Sequence, residues 1–381
     1  MQRDSLDGLR IAYFTEWSPH EETGVLRKLI GQVGAWRALG AEAEIFALAT
    51  RRDAPPALGF GKVGHVIGAL HQRALEKFPA ARLGYFNKML SVGRMRRAIR
   101  AFAPDVIYYR QNGPWYPGLG RILSLAPTVI EINTDEDAES KLWGKAFAAL
   151  YRATQHRVLE RLAGFVSVTG ELAERYRPLG KPIAIIANGF WGDAPPAPPP
   201  TANEAPAFVF VGSPLTGGGS WHGADKILPL AAALPASHFH VVGLEASDFP
   251  DMVVPANVEF HGYRSGPELS RIIAASDVGI GTLSFYRKQM CEGCPLKVRD
   301  YLMHRLAVII GYKEAQEELN TADYVLVLPC APDNVESNIE RIASFAAAWK
   351  NRRVDTDLTF LTAPAIEARR LAFLRGVAGR G

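Results

Sequence analysis

Two carboxylates, Glu292 and Asp300, stand with seven residues between them in the segment MCEGCPLKVRDY, 290–301. Pro295 is suited to open a helix there, because it lacks the N–H that a first turn leaves unpaired and its φ is already helical. Asp300 then lies about one and a half turns into the helix and Glu292 on the loop before it. Ionised carboxylates only accept hydrogen bonds, so a pair at this separation suits hydroxyls on two rings of one ligand. Backbone N–H groups around Gly293, Cys294 and Leu296 point to the same place and suit phosphate. Lys297 adds a cation in the first turn.

The elements that must carry these residues follow from the apolar patterning. The chain has 381 residues, 48% of them hydrophobic, which is ample for two cores. Leu9–Phe14 reads as a first buried strand, and a loop ending in Gly24 leads to a helix with Val25, Leu29, Ile30, Val33 and Trp36 at helical spacing. Gly40 ends it and 44–48 is the next strand, which makes a parallel-sheet unit. Residues 60–103 read as helical with a break at Pro79, and 106–109, 128–132, 165–169 and 183–186 as strands, with a helix over 141–163. Five prolines occupy six positions at 195–200, which favours an extended segment. The pattern then restarts. Strands at 208–211, 238–242, 258–261, 278–281, 307–310 and 324–328 follow, with helices at 224–234 and 364–376. The expected organisation is an N-terminal domain over 1–190, a linker over 191–206, a C-terminal domain over 207–360 and a closing helical segment over 361–381 returning to the first domain. The expected fold is α/β, with two Rossmann-like, doubly wound parallel-sheet domains facing across a cleft.

Beyond the acidic pair, Gly212-Ser213 follows the first strand of the second half and precedes Trp221-His222-Gly223. Asn188-Gly189 precedes the linker, and Val258–Gly262 is followed by Tyr263 and then Ala275–Val278. In this order the chain resembles the retaining GT-B glycosyltransferases of group 1, or family 4, over roughly 9–330 and most strongly over 208–311. The Pro295-Leu296-Lys297 piece resembles a variant common in bacterial polysaccharide assembly. The resemblance implies that Glu292 meets the hydroxyls of a donor sugar and Asp300 those of a nucleotide ribose. It implies a phosphate-facing loop at Gly212, Ser213, Trp221, His222 and Gly223, and a base-facing stretch at Gly262 and Tyr263. Gly24, Asn133 and Glu139 fall on the acceptor side. The implied reaction passes a sugar from a nucleotide-diphosphate sugar to a glycan or lipid-linked acceptor, with no metal or other cofactor. Stabilising charge on the leaving diphosphate then matters more than a general base, with Lys297, His222 and Glu292 as the catalytic candidates.

The chain departs from that pattern in places. Ser213 and His222 stand where Arg and Lys are usual, so Lys297, Arg287, Lys288, His222 or loop N–H groups must meet the phosphate charge. Asn133 replaces a common His, Asp300 is one methylene shorter than Glu, and His304-Arg305 stands where small residues are usual. An inverting or epimerising relative would need a base such as Glu16, His20 or Glu21. A two-domain protein that only binds a sugar nucleotide is the remaining alternative.

Other features have plainer readings beside sharper ones. Cys291 and Cys294 form a C-x-x-C, but with Cys330 as the third cysteine neither a zinc site nor a disulfide framework is expected. Asp135-Glu136-Asp137 is either a metal-binding acidic motif or a polar loop. The basic stretch 85–102 is either a packed amphipathic helix or a contact with an anionic membrane. A net charge of +4 with interleaved signs argues against nucleic acid. No apolar run approaches a membrane span and the first residues do not read as a signal peptide, so the expected setting is the cytoplasm, with peripheral contact at the inner membrane allowed.

Overall fold

The structure, a computed structural model, describes residues 8–17, 19–20, 23–48, 59–68, 80–140, 144–191, 198–213 and 219–379. The chain divides into two units: Met1–Val168 with Leu172–Ile186 and Thr362–Gly381, and Thr169–Glu171 with Ala187–Leu361.

In the first unit the strands are β1 (Arg10–Thr15), β2 (Glu42–Leu48), β3 (Gly64–Ile67), β4 (Val106–Arg110), β5 (Thr128–Ile132), β6 (Gly164–Ser167) and β7 (Ile183–Ile185). They form one sheet in the order β3-β2-β1-β4-β5-β6-β7, with every pair parallel. The central strands β4 and β5 are buried at every position, as a sheet covered on both faces requires. The helices are α1 (Gly24–Ala38), α2 (Ala80–Phe102), α3 (Leu119–Leu123), α4 (Glu136–Ser140), α5 (Lys145–Thr154), α6 (His156–Leu159), α7 (Gly170–Glu174, whose start belongs to the second unit) and the closing α12 (Ala363–Val377). Thr23 caps α1 by accepting from the Leu26 N–H. Trp36 on α1 is fully buried, stacks on Tyr13 and donates to Glu367 of α12 at 2.5 Å.

The second unit repeats the plan with β8 (Ala207–Val211), β9 (His238–Val242), β10 (Val258–Gly262), β11 (Val278–Ile280), β13 (Ala307–Ile310) and β15 (Val325–Val327), ordered β10-β9-β8-β11-β13-β15 and parallel throughout. A two-residue ladder joins β12 (Glu292–Gly293) to β14 (Lys313–Glu314). Its helices are α8 (Ile227–Ala233), α9 (Gly266–Ala275), α10 (Leu296–Met303) and α11 (Ile339–Trp349). Strand order reverses between β8 and β11, and beyond the carboxyl ends of such strands a doubly wound sheet opens a crevice. Tyr301 of α10 fastens that point. Its hydroxyl accepts from the Val211 N–H at 2.8 Å and donates to the Ile280 carbonyl. Gly279 allows this, since a Cβ there would lie 2.4 Å from the Tyr301 ring.

Some local expectations are corrected. Residues 64–67 are not helical but the outer strand β3, held by pairing with β2. The helix expected over 141–163 is two shorter ones, α5 and α6, with 141–143 outside the described residues. Residues 192–197, which include the first half of the proline-rich stretch 195–200, are also outside them. No helix among the described residues is long and apolar enough to cross a membrane.

Candidate active site

The crevice of the second unit begins where β8 ends. Gly212 donates to the Val242 carbonyl, and its own carbonyl would be 2.1 Å from a Cβ on Gly243. Gly243 has a φ of +86° and donates to the Gly262 carbonyl at 2.7 Å. The ends of β8, β9 and β10 therefore meet through backbone alone. The Tyr263 ring beyond them is 67% exposed.

Residues 214–218 of the glycine-rich loop lie outside the described residues, but both flanks are ordered around His222. Its Nδ1 accepts from the Ser213 N–H at 3.2 Å, so the ring proton of the neutral form sits on Nε2. Burial, then Lys297 and Lys288, push the His222 pKa down to about 2. His222 is therefore a neutral donor and not the phosphate-neutralising cation that the sequence allowed. Trp221 stacks on Phe285 with centroids 5.4 Å apart and carries the Lys288 ammonium 4.1 Å over its ring. Gly223, at φ +80°, lets this turn press on Leu283 and Ser284.

Lys297 reaches the same place from α10, where Pro295 does cap the helix start. Its stem is partly exposed, but Nζ is buried with no hydrogen-bond partner among the described residues. It lies 4.5 Å over the Phe210 ring, and burial holds its pKa down to about 7. An ammonium so placed lacks an anion. Arg287, another candidate for that charge, is committed elsewhere through a two-pronged pair with Asp225 at 2.8 and 2.6 Å. Half-buried Asp300 lies one turn beyond Lys297 on the same helix, and Leu296 precedes it.

Glu292 is held by a residue that the sequence did not single out. Its Oε2 accepts from the Glu171 N–H at 2.7 Å, while the Glu171 carboxylate accepts from the N–H groups of Cys291 and Glu292 at 2.9 and 2.8 Å. Gly293 has to be glycine, since a Cβ would lie 2.1 Å from Phe285. Next to it, buried Cys294 accepts at Sγ from the Asn188 N–H and from Arg299, and its carbonyl accepts from the Asn188 side chain at 2.7 Å. Arg299 closes the arrangement with a buried ion pair to Glu314 at 2.7 Å and a bond to the Asn188 carbonyl. The Asn188-Gly189 element is thus packed on the Glu292 loop.

The cysteine reading is corrected. Cys291 is bonded to Cys330, with Cα atoms 5.6 Å apart, and Cys294 stands outside the disulfide. Cys330 follows β15 and Cys291 precedes β12, so the disulfide joins residues that are 39 apart in sequence.

In the first unit Asn133 accepts from Lys28 at 2.7 Å and donates to Glu131. Glu131 is fully buried and faces Lys28 at 3.0 Å, Arg110 at 3.3 Å and Arg370 at 3.8 Å. Burial alone would raise its pKa, but the three cations hold it well below the usual carboxylate range. Gly24 opens α1, the helix that bears Lys28. Glu139 accepts from Thr134 at 2.9 Å. Asp135 caps α4 and pairs with Arg175, and Asp137 faces Arg152, so the acidic triplet serves as a helix start and surface ion pairs.

Both units have the architecture of GT-B glycosyltransferases, and solved structures of that class align over nearly the whole chain. The catalytic domain of starch synthase IV from Arabidopsis thaliana, bound to ADP and acarbose, aligns with a TM-score of 0.66 at 11% identity, covering 98% of this chain and 100% of that one. The lipopolysaccharide outer core galactosyltransferase WaaB aligns at 0.57 and 10% identity, over 97% and 99%. A putative UDP-N-acetylglucosamine 2-epimerase from Listeria monocytogenes aligns at 0.51 and 9%, over 95% of each chain. No curated protein sequence matches significantly. Residues 23–189 match the family model of the Glycosyl transferase 4-like domain, and the chain is a glycosyltransferase. That match falls on the first unit, while the motifs of the resemblance are densest over 208–311, so the two are independent.

Proposed function

We propose that the protein is a retaining glycosyltransferase that binds a nucleotide-diphosphate sugar on its second unit and passes the sugar to a glycan or lipid-linked acceptor. The observation that carries this reading is the buried Lys297 ammonium, without a hydrogen-bond partner among the described residues, beside the neutral His222 donor at the crevice where β8 and β11 part. A diphosphate supplies the missing anion and places the leaving group between two fixed donors. In this reading Glu292, steadied by Glu171, takes sugar hydroxyls and Asp300 takes the ribose. No metal is needed, because Lys297 meets the leaving charge. An inverting mechanism needs an available base in the first unit. Of the candidate bases Glu16, His20 and Glu21, Glu16 is buried and already engaged by Lys88 and Tyr109, both at 2.8 Å, and by the Asn112 N–H, which disfavours it in that role, and Glu21 lies outside the described residues.

A thermal-shift and binding screen across UDP-, GDP-, ADP- and dTDP-sugars tests the assignment. One base should stand out, and Glu292→Ala and Asp300→Ala should each weaken that donor at least about tenfold. If neither does, the donor site is elsewhere. The anomeric configuration of the product then decides retention.

The proposal extends to a cytoplasmic setting on the inner membrane, in cell-surface polysaccharide assembly. Phe86 and Leu90 of α2 are 57% and 61% exposed beside exposed Arg94 and Arg97, a pairing that suits an anionic bilayer. Co-sedimentation with vesicles containing anionic lipid should be lost in a Phe86→Ser, Leu90→Ser, Arg97→Glu variant. Equal binding by parent and variant would remove the membrane from the reading.

A further inference from the structure

At the outer edge of the second sheet, β9 and β10 bring together side chains that the transfer reaction does not use. Glu259 is the register partner of His240. His238 and His240 share one face of β9, because Phe239 and Val241 between and beside them turn into the core. The ladder slips between Phe260 and Gly262, an irregularity of the kind that re-aims a side chain. Here His261 comes to lie against His240, with its Nε2 3.1 Å from His240 Nδ1. Glu259 Oε2 is 3.4 Å from the same His240 nitrogen, and one ligand atom from each of the three residues falls within 4.8 Å of the others.

We propose that His240, Glu259 and His261 form a binding site for a zinc-type divalent cation that clamps the outer strand β10 to β9. Zinc bonds of about 2.0–2.2 Å in a tetrahedron put neighbouring ligand atoms about 3.3–3.5 Å apart; the 3.4 Å edge from His240 to Glu259 is already present, and the 3.1 Å contact from His240 to His261 has to open by a few tenths of an ångström. Two imidazoles and one carboxylate suit zinc better than calcium or magnesium, which prefer all-oxygen shells. The side chains of His240 and His261 are 22% and 16% exposed and that of Glu259 is 65% exposed, which leaves a path for the ion. The second carboxylate oxygen, 3.7 Å from His261 Nδ1, helps orient that ring. A water completes the shell. The clamp would stiffen the strand that ends in Gly262 and Tyr263, and it does not depend on the reading of the donor site.

The test uses untagged, EDTA-stripped full-length protein titrated with Zn²⁺ by calorimetry, and with Co²⁺ for its tetrahedral d–d spectrum. One equivalent should bind and raise the melting temperature. His240→Gln and His261→Gln should each bind at least about 100-fold more weakly, as should exposed Glu259→Gln to a lesser degree, while His156→Gln binds like the parent. Melting curves in EDTA establish that each variant is folded. Absence of Zn²⁺ uptake, or equal uptake by folded His240→Gln and His261→Gln, overturns the proposal and leaves a plain His–His hydrogen bond.

Discussion

Lys297→Met is expected to lower kcat by about 10²–10³ while raising the melting temperature of the donor-free protein. The first effect follows from removing a preorganised cation from the site of developing phosphate charge, a loss of that order for a single electrostatic stabiliser. The second follows because the substitution keeps an apolar stem over Phe210 and deletes a buried ammonium with no hydrogen-bond partner among the described residues. That relief is worth at least about 1 kcal/mol, or roughly 2–4 °C for a unit of this size. Opposite signs for activity and stability distinguish a functional lysine from one that merely supports packing. The pH dependence adds a second signature. The lysine in the donor-free protein titrates near 7, below its ordinary 10.5, so above pH 7 the unfolded chain binds more protons than the folded one. Stability without donor should therefore rise between pH 7 and 10 in the parent, and Lys297→Met should lack that component. Donor binding runs the other way. Both phosphates of a nucleotide sugar are esterified and do not titrate near neutrality, so binding at pH 8 should take up about one proton, and affinity should fall as pH rises further. Calorimetry in two buffers of different ionisation enthalpy reads the proton directly. A variant with near-parental kcat, or no linked proton, would sink the role given to Lys297.

Glu131→Gln is expected to cost the first unit about 3–5 kcal/mol, because it leaves Lys28, Arg110 and Arg370 as buried cations without their common anion. For a unit of this size that is a fall of roughly 6–20 °C in melting temperature. The acid limb should change as well. The folded pKa of Glu131 is depressed below its ordinary 4.5, so its contribution is present above that value and is lost as pH falls toward the folded one. The variant should lack that part of the acid transition. Adding Lys28→Met, which removes a lysine whose pKa is already pushed down to about 8 by burial, should restore part of the loss. A change of less than about 2 °C would mean that solvent reaches these charges and that the network does not hold the unit together.

Elements formed from neighbouring residues are legible in the sequence itself. The apolar runs that become β4, β5 and β8, the Gly40 stop after α1 and the Pro295 start of α10 all follow from periodicity and backbone preference, which act over one or two turns. The expectation fails where partners are remote. Residues 64–67 carry a weak pattern and are strand because β2 offers them an edge. Glu171 lies 121 residues from Glu292, and no spacing rule connects a helix start to that loop. Arg287 and Lys297 read alike as nearby cations, yet Asp225 occupies one while the other is buried with no hydrogen-bond partner among the described residues.

The chain's own residues thus determined that there are two parallel-sheet units, that an acidic loop and helix sit in the second, and that glycines let its backbone ends approach closely. Tertiary structure decided which charges are spoken for. It paired Cys291 with Cys330, set Glu171 against Glu292, gathered Lys28, Arg110 and Arg370 around Glu131, and left Lys297 Nζ without a hydrogen-bond partner among the described residues. The physical reason is range. Torsional preference and hydrophobic period are written into adjacent residues, whereas the state of a buried charge depends on whatever the fold brings within a few ångströms of it.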